Sequence, residues 1–239
     1  KELQTREFDT MWSSSFTDST ARGKPDIEAV DLSSRFFTVN EIFEVTTKPM
    51  IFDADTGGQT QQFVFTVRTL ERVGISAVVI EDRVGPKKNS SAGEDVALSQ
   101  EDPLAFAEKI QTGKRAQITD DFMIIARIDS LTLNKGINDA LMRAHKYTSA
   151  GADGLMIHSY SSDADEIIEF AMRLRQDGYE LPLIVEPTNF DSVTEDQLIA
   201  AEVNVVIYAN HLLRAAYPSM IRVATQILDE GTANKIRED

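Results

Sequence analysis

Residues 49–58 read Pro-Met-Ile-Phe-Asp-Ala-Asp-Thr-Gly-Gly, an apolar run that ends in two aspartates and a pair of glycines. The run predicts a strand over Pro49–Asp55 that is covered on both faces, because its apolar residues do not alternate with polar ones. The amphipathic stretch that follows predicts a helix over Gln59–Val73, and a second apolar run predicts a strand over Ser76–Asp82. A strand, a helix and a strand in this order are typical of a parallel sheet.

The same alternation continues along the chain in both directions. Further strands are predicted over Asp9–Ser15, Phe122–Asp129, Gly154–Ser159, Leu181–Pro187 and Val203–Ala209. Further helices are predicted over Pro103–Gln117, Asn134–Ala150, Asp163–Gln176, Glu195–Glu202 and about 210–229. Strands that alternate with helices indicate an α/β fold, which is either an open doubly wound sheet or a closed barrel.

Polar side chains at the ends of successive strands favour the barrel. They are Asp53 and Asp55, Glu81 and Asp82, Arg127 and Asp129, His158, Glu186 and Asn210. A (β/α)8 TIM-type barrel collects these ends on one face, where its active sites lie. The GxGxxG and Walker loops of nucleotide-binding open sheets are absent from the sequence. We predict one barrel domain over 1–239, with the first strand–helix unit missing from this chain and a lid over about 83–102.

Composition excludes several classes of protein. The chain has 239 residues, of which 42% are hydrophobic, so wholesale disorder is excluded. A net charge of −15 argues against a nucleic-acid or anionic-membrane surface. The absence of cysteine removes disulfides, thiol catalysis and cysteine-ligated metals. No apolar run is long enough for a membrane span and no signal-peptide pattern opens the chain, which predicts a soluble, cytoplasmic protein.

Carboxylates at two neighbouring strand ends predict a metal site. Asp53 and Asp55 are two residues apart, so both can face one site. Glu81 and Asp82 end the next strand and add further oxygen ligands. Carboxylate oxygens without nearby His or Cys suit Mg²⁺, which needs only one or two direct carboxylates. The alternative is that these acids cap the following helices or pair with Lys and Arg.

Cationic side chains at the two following strand ends predict an anionic ligand. Arg127 lies in an otherwise apolar strand, where a charge is costly unless it meets the acids or an anion. Together with a metal and Lys87 it supplies positive charge for a phosphoryl group or a carboxylate. His158 is either a site residue or a core histidine bonded to a backbone carbonyl.

Two weaker patterns lie near the start of the chain. The stretch from Trp12 through Ser14 and Ser15 to Phe16 closes the first strand with hydroxyls and backbone N–H groups that can hold a carboxylate. Asp26 lies in a loop, where the alternative to a site role is a helix N-cap.

These residues belong to a series of motifs that covers nearly the whole chain and occurs in the same order as in a known protein family. The motifs are Trp12–Phe16, Asp53–Gly57, Glu81–Arg83 with Pro86–Ser90, Ala126–Asp129, Gly151–Asp153 with Ile157–Ser159, Pro187–Thr188 and Tyr208–Ala216. The chain thereby resembles the phosphoenolpyruvate mutase/isocitrate lyase superfamily, and within it most closely the mutases that interconvert phosphoenolpyruvate and phosphonopyruvate. The resemblance implies a Mg²⁺-dependent isomerase of phosphonate biosynthesis, and homo-oligomers with exchanged terminal helices.

The resemblance also implies a role for each matched position. Asp53 would bind Mg²⁺ directly, with Asp55 and Glu81 acting partly through metal-bound water. The implied substrate-binding positions are Trp12, Ser14, Ser15, Phe16, Arg127 and His158, and the backbone around Ser15 and Phe16 would hold the carboxylate. Asp26 would stand near the migrating phosphoryl group, and Lys87 and Asn89 would close over it with the lid.

The lid sequence distinguishes members of the superfamily. Its carbon–carbon lyases resemble one another in a Lys-x-Cys-Gly-His lid, whereas this chain has no cysteine. Phosphonopyruvate hydrolases tend to carry Thr where this chain has Asn89, which favours the mutase. The alternatives are a hydrolase giving pyruvate and phosphate, or a non-catalytic barrel domain of a larger protein. The chain departs from the mutase pattern at Ser15, Phe16, Asp129 and Glu186.

Overall fold

The computed structural model describes residues 7–84, 99–190 and 192–233. Within these residues, seven strands form one parallel sheet in which each strand pairs with the next along the chain. The strands are β1 Met11–Ser13, β2 Met50–Asp53, β3 Ala77–Glu81, β4 Met123–Ile128, β5 Gly154–Ile157, β6 Leu183–Val185 and β7 Val205–Val206. Each lies within a predicted run, and their sequential order is that of a TIM-type α/β fold, as expected.

Helices connect the strands. They are α1 Ser15–Ala21, α2 Leu32–Phe43, α3 Thr60–Val73, α4 Pro103–Ala116, α5 Gly136–Ser149, α6 Asp165–Gln176, α7 Glu195–Ala200 and α8 His211–Glu230. The helices from α3 onward were predicted, whereas α1 and α2 were not. Polar N-caps begin both of the unpredicted helices: Ser14 accepts the Thr17 N–H at 3.2 Å and Asp31 accepts the Ser34 N–H at 3.0 Å.

The sheet separates two apolar clusters. The larger cluster lies between the strands and the helices. The smaller one lies inside the curled sheet, where strands from both of its ends contribute Ile51, Ala77, Val79, Ile125, Met156, Ile184 and Ile207. The pairing is staggered, since Asp53 pairs with Val79 and Arg127 pairs with Met156. Such stagger is the geometry of strands that tilt around a barrel.

The edge strands β1 and β7 are not paired with each other in the described residues. An apolar space of about 830 Å³ lies along this edge, between side chains that include Met11 and Ile51 on one side and Val206 and Leu213 on the other. A preceding strand–helix unit at this edge stays a prediction.

The predicted lid over about 83–102 begins and ends at a short antiparallel bridge between Arg83 and Gln100. The Val84 N–H donates to the Ser99 carbonyl at 2.9 Å, and the Glu101 N–H donates to the Asp82 carbonyl at 2.9 Å. Lys87 and Asn89 lie outside the described residues. Within the described parts of the chain, no helix combines the length and the apolar character that crossing a bilayer requires.

Candidate active site

A ring of side chains covers the inner apolar cluster at the carboxyl ends of the strands. Asp53, Glu81, Arg127, His158 and Glu186 each come two residues after a member of that cluster, so each shares its face of the strand. All five line one cavity of about 290 Å³. The cavity is also lined by Trp12, Ser14, Phe16, Asp26, Arg83, Tyr160, Thr188, Asn189, Ala209, Asn210 and Arg214. The metal and substrate candidates that were predicted at the ends of the strands therefore lie together around one cavity.

Arg127 is held by acids on two strands. Its Nε lies 3.1 Å from Asp129 Oδ1, and a terminal nitrogen lies 3.6 Å from Glu81 Oε2. Burial opposes its charge, but Asp129 and Glu81 outweigh burial and raise the pKa of Arg127 well above its usual value. Burial likewise opposes ionisation of Asp129, yet Arg127 and Arg83 lower its pKa to about 2. The cavity therefore contains a permanently charged guanidinium in a fixed position.

Asp53 is anchored by Ser15, the first residue of α1, and by the backbone of Asp55. Its Oδ2 accepts hydrogen bonds from the Ser15 N–H at 3.1 Å and the Ser15 hydroxyl at 2.8 Å. Its Oδ1 accepts the Asp55 N–H at 3.2 Å. Asp55 has a φ of 53°, a left-handed conformation that aspartate tolerates, and its carboxylate lies 4.0 Å from Arg35. Ser15 and Asp55 thus support Asp53 and do not line the cavity.

The donor set fits Mg²⁺ chemically. Asp53 and Glu81 are buried carboxylates that face the cavity, and hard oxygen ligands are those that Mg²⁺ prefers. Within the described ranges, no three His, Asp or Glu side chains are gathered closely enough to enclose a metal by themselves. Mg²⁺ does not require such an enclosure, since it usually keeps several waters and takes one or two carboxylates.

His158 contributes a neutral imidazole to the ring. Burial and the charge of Arg127 lower its pKa to about 4. Its Nδ1 is buried without a hydrogen-bond partner in the described residues, and its ring meets the edge of Tyr160 with centroids 5.6 Å apart. A neutral imidazole can accept or donate one hydrogen bond, which suits contact with a substrate oxygen.

The expectation that Asp82 adds an oxygen ligand beside Glu81 was wrong. Successive residues of a strand point to opposite faces, so Asp82 lies behind the sheet. It accepts hydrogen bonds from the Tyr147 hydroxyl at 2.7 Å, from Arg143 at 3.2 Å and from the Asp129 N–H at 2.9 Å. Burial and the charge of Asp129 raise its pKa to about 6. Asp82 therefore joins strand ends to α5.

Two arginines near the site were not singled out from the sequence. Arg35 is fully buried, with hydrogen bonds to Asp18 at 2.9 Å and to the Ser13 carbonyl at 2.9 Å, and it also donates to the Asp53 carbonyl. Arg83 lines the cavity and bonds to Asp129. A lone arginine in an apolar helix, as in Arg35-Phe36-Phe37, was the signal that could have identified the first of them.

Comparisons with known proteins show which family shares this sequence and this fold. The family profile described as phosphoenolpyruvate phosphomutase matches residues 1–228. The phosphoenolpyruvate phosphomutase of Streptomyces viridochromogenes is 34% identical over 223 residues, which are 92% of this chain and 69% of that protein. The crystal structure of phosphoenolpyruvate phosphomutase from Streptomyces platensis subsp. rosaceus superimposes with a TM-score of 0.90 at 32% identity, covering 98% of this chain and 80% of that one.

Other activities occur among the relatives at similar identity. A crystal structure of phosphonopyruvate hydrolase in complex with oxalate and Mg²⁺ has a TM-score of 0.84 at 30% identity, covering 96% of this chain and 78% of that one. Lyases of 2,3-dimethylmalate and 2-methylisocitrate also match. The relatives are therefore enzymes of one superfamily with several reactions, and this chain belongs to the phosphoenolpyruvate phosphomutase family.

Proposed function

We propose that the protein is a Mg²⁺-dependent phosphoenolpyruvate mutase that interconverts phosphoenolpyruvate and phosphonopyruvate, forming the carbon–phosphorus bond of phosphonates. The observation that carries this proposal is one cavity in which the buried carboxylates Asp53 and Glu81 face the same space as Arg127 and His158. That combination offers oxygen ligands for a metal and positively charged or neutral donors for an anionic substrate.

The proposed metal ligands are those that the family resemblance implies, and the anchoring of Asp53 supports its place among them. Asp53 would bind Mg²⁺ directly, whereas Asp55 and Glu81 would act partly through water. Bound Mg²⁺ supplies positive charge that stabilises an enolate oxygen. Ser15 keeps Asp53 oriented toward the cavity, because both of its donors hold the same carboxylate oxygen.

The proposed substrate contacts lie on the other side of the ring. Arg127 and His158 would bind substrate oxygens, with Trp12 packed beside the substrate. The Ser15 N–H is already donated to Asp53, so the substrate carboxylate would meet the Phe16 N–H in the first turn of α1. Donors in a first helical turn have no partner within the helix, and the helix dipole favours an anion there.

The reaction breaks a phosphorus–oxygen bond and forms a phosphorus–carbon bond within one molecule, so no atom is gained or lost. Its loose transition state requires positioning and charge stabilisation more than covalent help. Asp26 lines the cavity and would stand near the migrating group. Lys87 and Asn89 would close the site and exclude water until carbon recaptures the phosphoryl group.

The second candidate is phosphonopyruvate hydrolase, since a hydrolase matches this chain at an identity close to that of the mutases. Hydrolysis requires water to reach the phosphoryl group. An asparagine amide at position 89 can orient that group, but it is a poor general base for activating water. The residue type at 89 supports the mutase.

Phosphorus NMR of the protein with Mg²⁺ and synthetic phosphonopyruvate tests the proposal. A phosphoenolpyruvate signal that grows as phosphonopyruvate disappears is the expected result. Inorganic phosphate with pyruvate, and no phosphoenolpyruvate on the way, would make the protein a hydrolase. No reaction would contradict both candidates.

A further inference from the structure

Glu186 is the member of the strand-end ring to which the proposed function assigns no role. It directly follows β6 and shares the face of Ile184, so it occupies the same structural position as Asp53, Glu81 and Arg127 on their strands. Its side chain is 7% exposed and lines the 290 Å³ cavity. A carboxylate so placed faces whatever ligand fills the cavity.

The contacts of Glu186 leave acceptor capacity toward the cavity. The Thr188 hydroxyl donates to its Oε1 at 2.8 Å, and this is the one side-chain hydrogen bond it makes within the described residues. Its charge acts on Arg127 and His158, but neither comes within ion-pair distance of it. An ionised carboxylate offers about four acceptor sites, and a buried one is costly unless donors satisfy them.

The charges of the other ring residues determine which ligand group can donate a hydrogen bond to Glu186. Arg127 and the proposed metal would take the anionic oxygens of a ligand, whereas an anionic oxygen placed at the end of β6 would meet the like charge of Glu186. A hydroxyl is the small, neutral group that donates there. A ligand without one leaves this position to water, which a hydroxylated ligand displaces while keeping the hydrogen bond.

We propose that Glu186 is a specificity-determining residue whose carboxylate accepts a hydrogen bond from a ligand hydroxyl, so that the site prefers hydroxylated 2-oxo acids over their unsubstituted counterparts. The inference rests on the proposed function, because it takes the site to bind small 2-oxo acid anions with Mg²⁺. It adds a recognition element on β6 to those already proposed on β1–β5.

Titration calorimetry with Mg²⁺ and a matched pair of ligands tests this inference. Hydroxypyruvate and pyruvate differ only by the hydroxyl, and we expect the native chain to bind hydroxypyruvate about tenfold or more tightly, as a hydrogen bond to a charged group provides. Glu186→Leu removes the acceptor and should abolish the preference. Glu186→Gln keeps the shape and one acceptor oxygen, so it should retain part of it.

Oxalate serves as the reference ligand, since it carries no hydroxyl. Glu186→Leu should bind oxalate no more weakly than the native chain, because the substitution removes a negative charge facing an anion; this also shows that the variant is folded. Equal affinity of the native chain for the two 2-oxo acids, or a preference that survives in Glu186→Leu, would overturn the inference alone. A native chain that binds none of the three ligands would overturn the proposed function together with it.

Discussion

Asp53 is held on both carboxylate oxygens before any ligand arrives, by Ser15 on one side and by the Asp55 N–H on the other. We therefore expect Asp53→Ala to lower the rate of the proposed mutase reaction by more than about a hundredfold, because it removes the proposed direct metal ligand. Phosphorus NMR rates measured over a Mg²⁺ titration provide the check.

Asp53→Asn is the companion variant, since it preserves shape and leaves an acceptor for Ser15. The matched control is Asp121→Ala, which removes an exposed carboxylate before β4 and should leave the rate unchanged. Turnover of Asp53→Ala with native Mg²⁺ dependence would refute the metal role.

Arg35 stabilises the segments that carry the site, because it bonds to Asp18, Ser13 and Asp53. Arg35→Met leaves the buried Asp18 carboxylate without its closest partner, and breaking a buried pair costs about 3–5 kcal/mol. Arg22→Met removes the other cation on Asp18, but Arg22 is 31% exposed, so its loss should cost at most about 1 kcal/mol. Urea unfolding of both variants measures the difference, and equal costs would contradict the prediction.

Asn89 is the residue on which we base the proposed choice between mutase and hydrolase. We expect Asn89→Ala to slow rearrangement about tenfold or more and to raise the share of inorganic phosphate, because water is then less well excluded. We expect the free energy of unfolding of this variant to change far less than its rate does. Lys88→Ala is the adjacent control, and an unchanged rate and product ratio in Asn89→Ala would remove Asn89 from the mechanism.

The placement of site residues could be predicted only as far as strand periodicity reaches. The two-residue repeat put Asp53, Glu81, Arg127 and His158 at one cavity. It could not show that Ser15 donates to Asp53, because that contact joins α1 to β2, which are far apart in the sequence. Asp82 was misjudged because adjacent acids at a strand end were assumed to act together, although the pleat separates them.

At the level of elements, helices were predictable where an apolar stripe faces the sheet. In α3 the buried residues Phe63, Val67 and Leu70 recur at helical spacing. Helix α2 inverts this pattern, since Arg35 is buried and Phe37 is 71% exposed. Helix α1 has only seven residues, too few for a periodicity. Neither helix shows a regular apolar stripe, because polar residues such as Ser15 in α1 and Arg35 in α2 face the site and bond to Asp53.

Gly113 allows close contact between α4, α3 and β4. A Cβ at this position would lie 2.5 Å from Phe63 and 2.8 Å from Ile124. Although alanine favours a helix by about 1 kcal/mol over glycine, we expect Gly113→Ala to destabilise the protein by about 1–3 kcal/mol through overpacking. Thermal or urea unfolding, with exposed Gln111→Ala as control, checks this; a stabilised Gly113→Ala would contradict it.

For the whole molecule, the last helix requires an explanation. α8 has no buried residue, and it exposes Leu212, Tyr217, Met220, Ile221 and Leu228. Isolated helices are marginal in water and large apolar patches mark contact surfaces. We propose that α8 packs on a second copy of the chain in a homo-oligomer with exchanged terminal helices.

Light scattering after gel filtration tests this proposal at micromolar concentration. The native chain should elute with a mass of at least two copies, and Ile221→Glu should shift it toward one copy by raising the dissociation constant about tenfold or more. Arg222→Glu, on the same exposed helix, should have little effect. A monomeric native chain would contradict exchange.

The architecture was the most predictable level, and its TIM-type α/β class is confirmed. Apolar strands without alternation and a helix between each pair are properties of the chain itself, so they could be found without any contact being known. The family resemblance is confirmed as well. The reaction is not fixed at this level, because relatives with different reactions share the same architecture.

The inner apolar cluster and the ring of polar side chains above it have separate roles. The cluster stabilises the fold, and the ring supplies the groups that face a ligand. Each strand from β2 to β7 places a residue on the cavity wall two places after an apolar residue of the inner cluster, which supports it. The residues of the cavity wall can therefore be substituted one at a time without disturbing the packing of the inner cluster below them. Ala209, which follows β7, has the smallest side chain of these wall residues. It marks the position where a new side chain could be introduced while every charged group keeps its place.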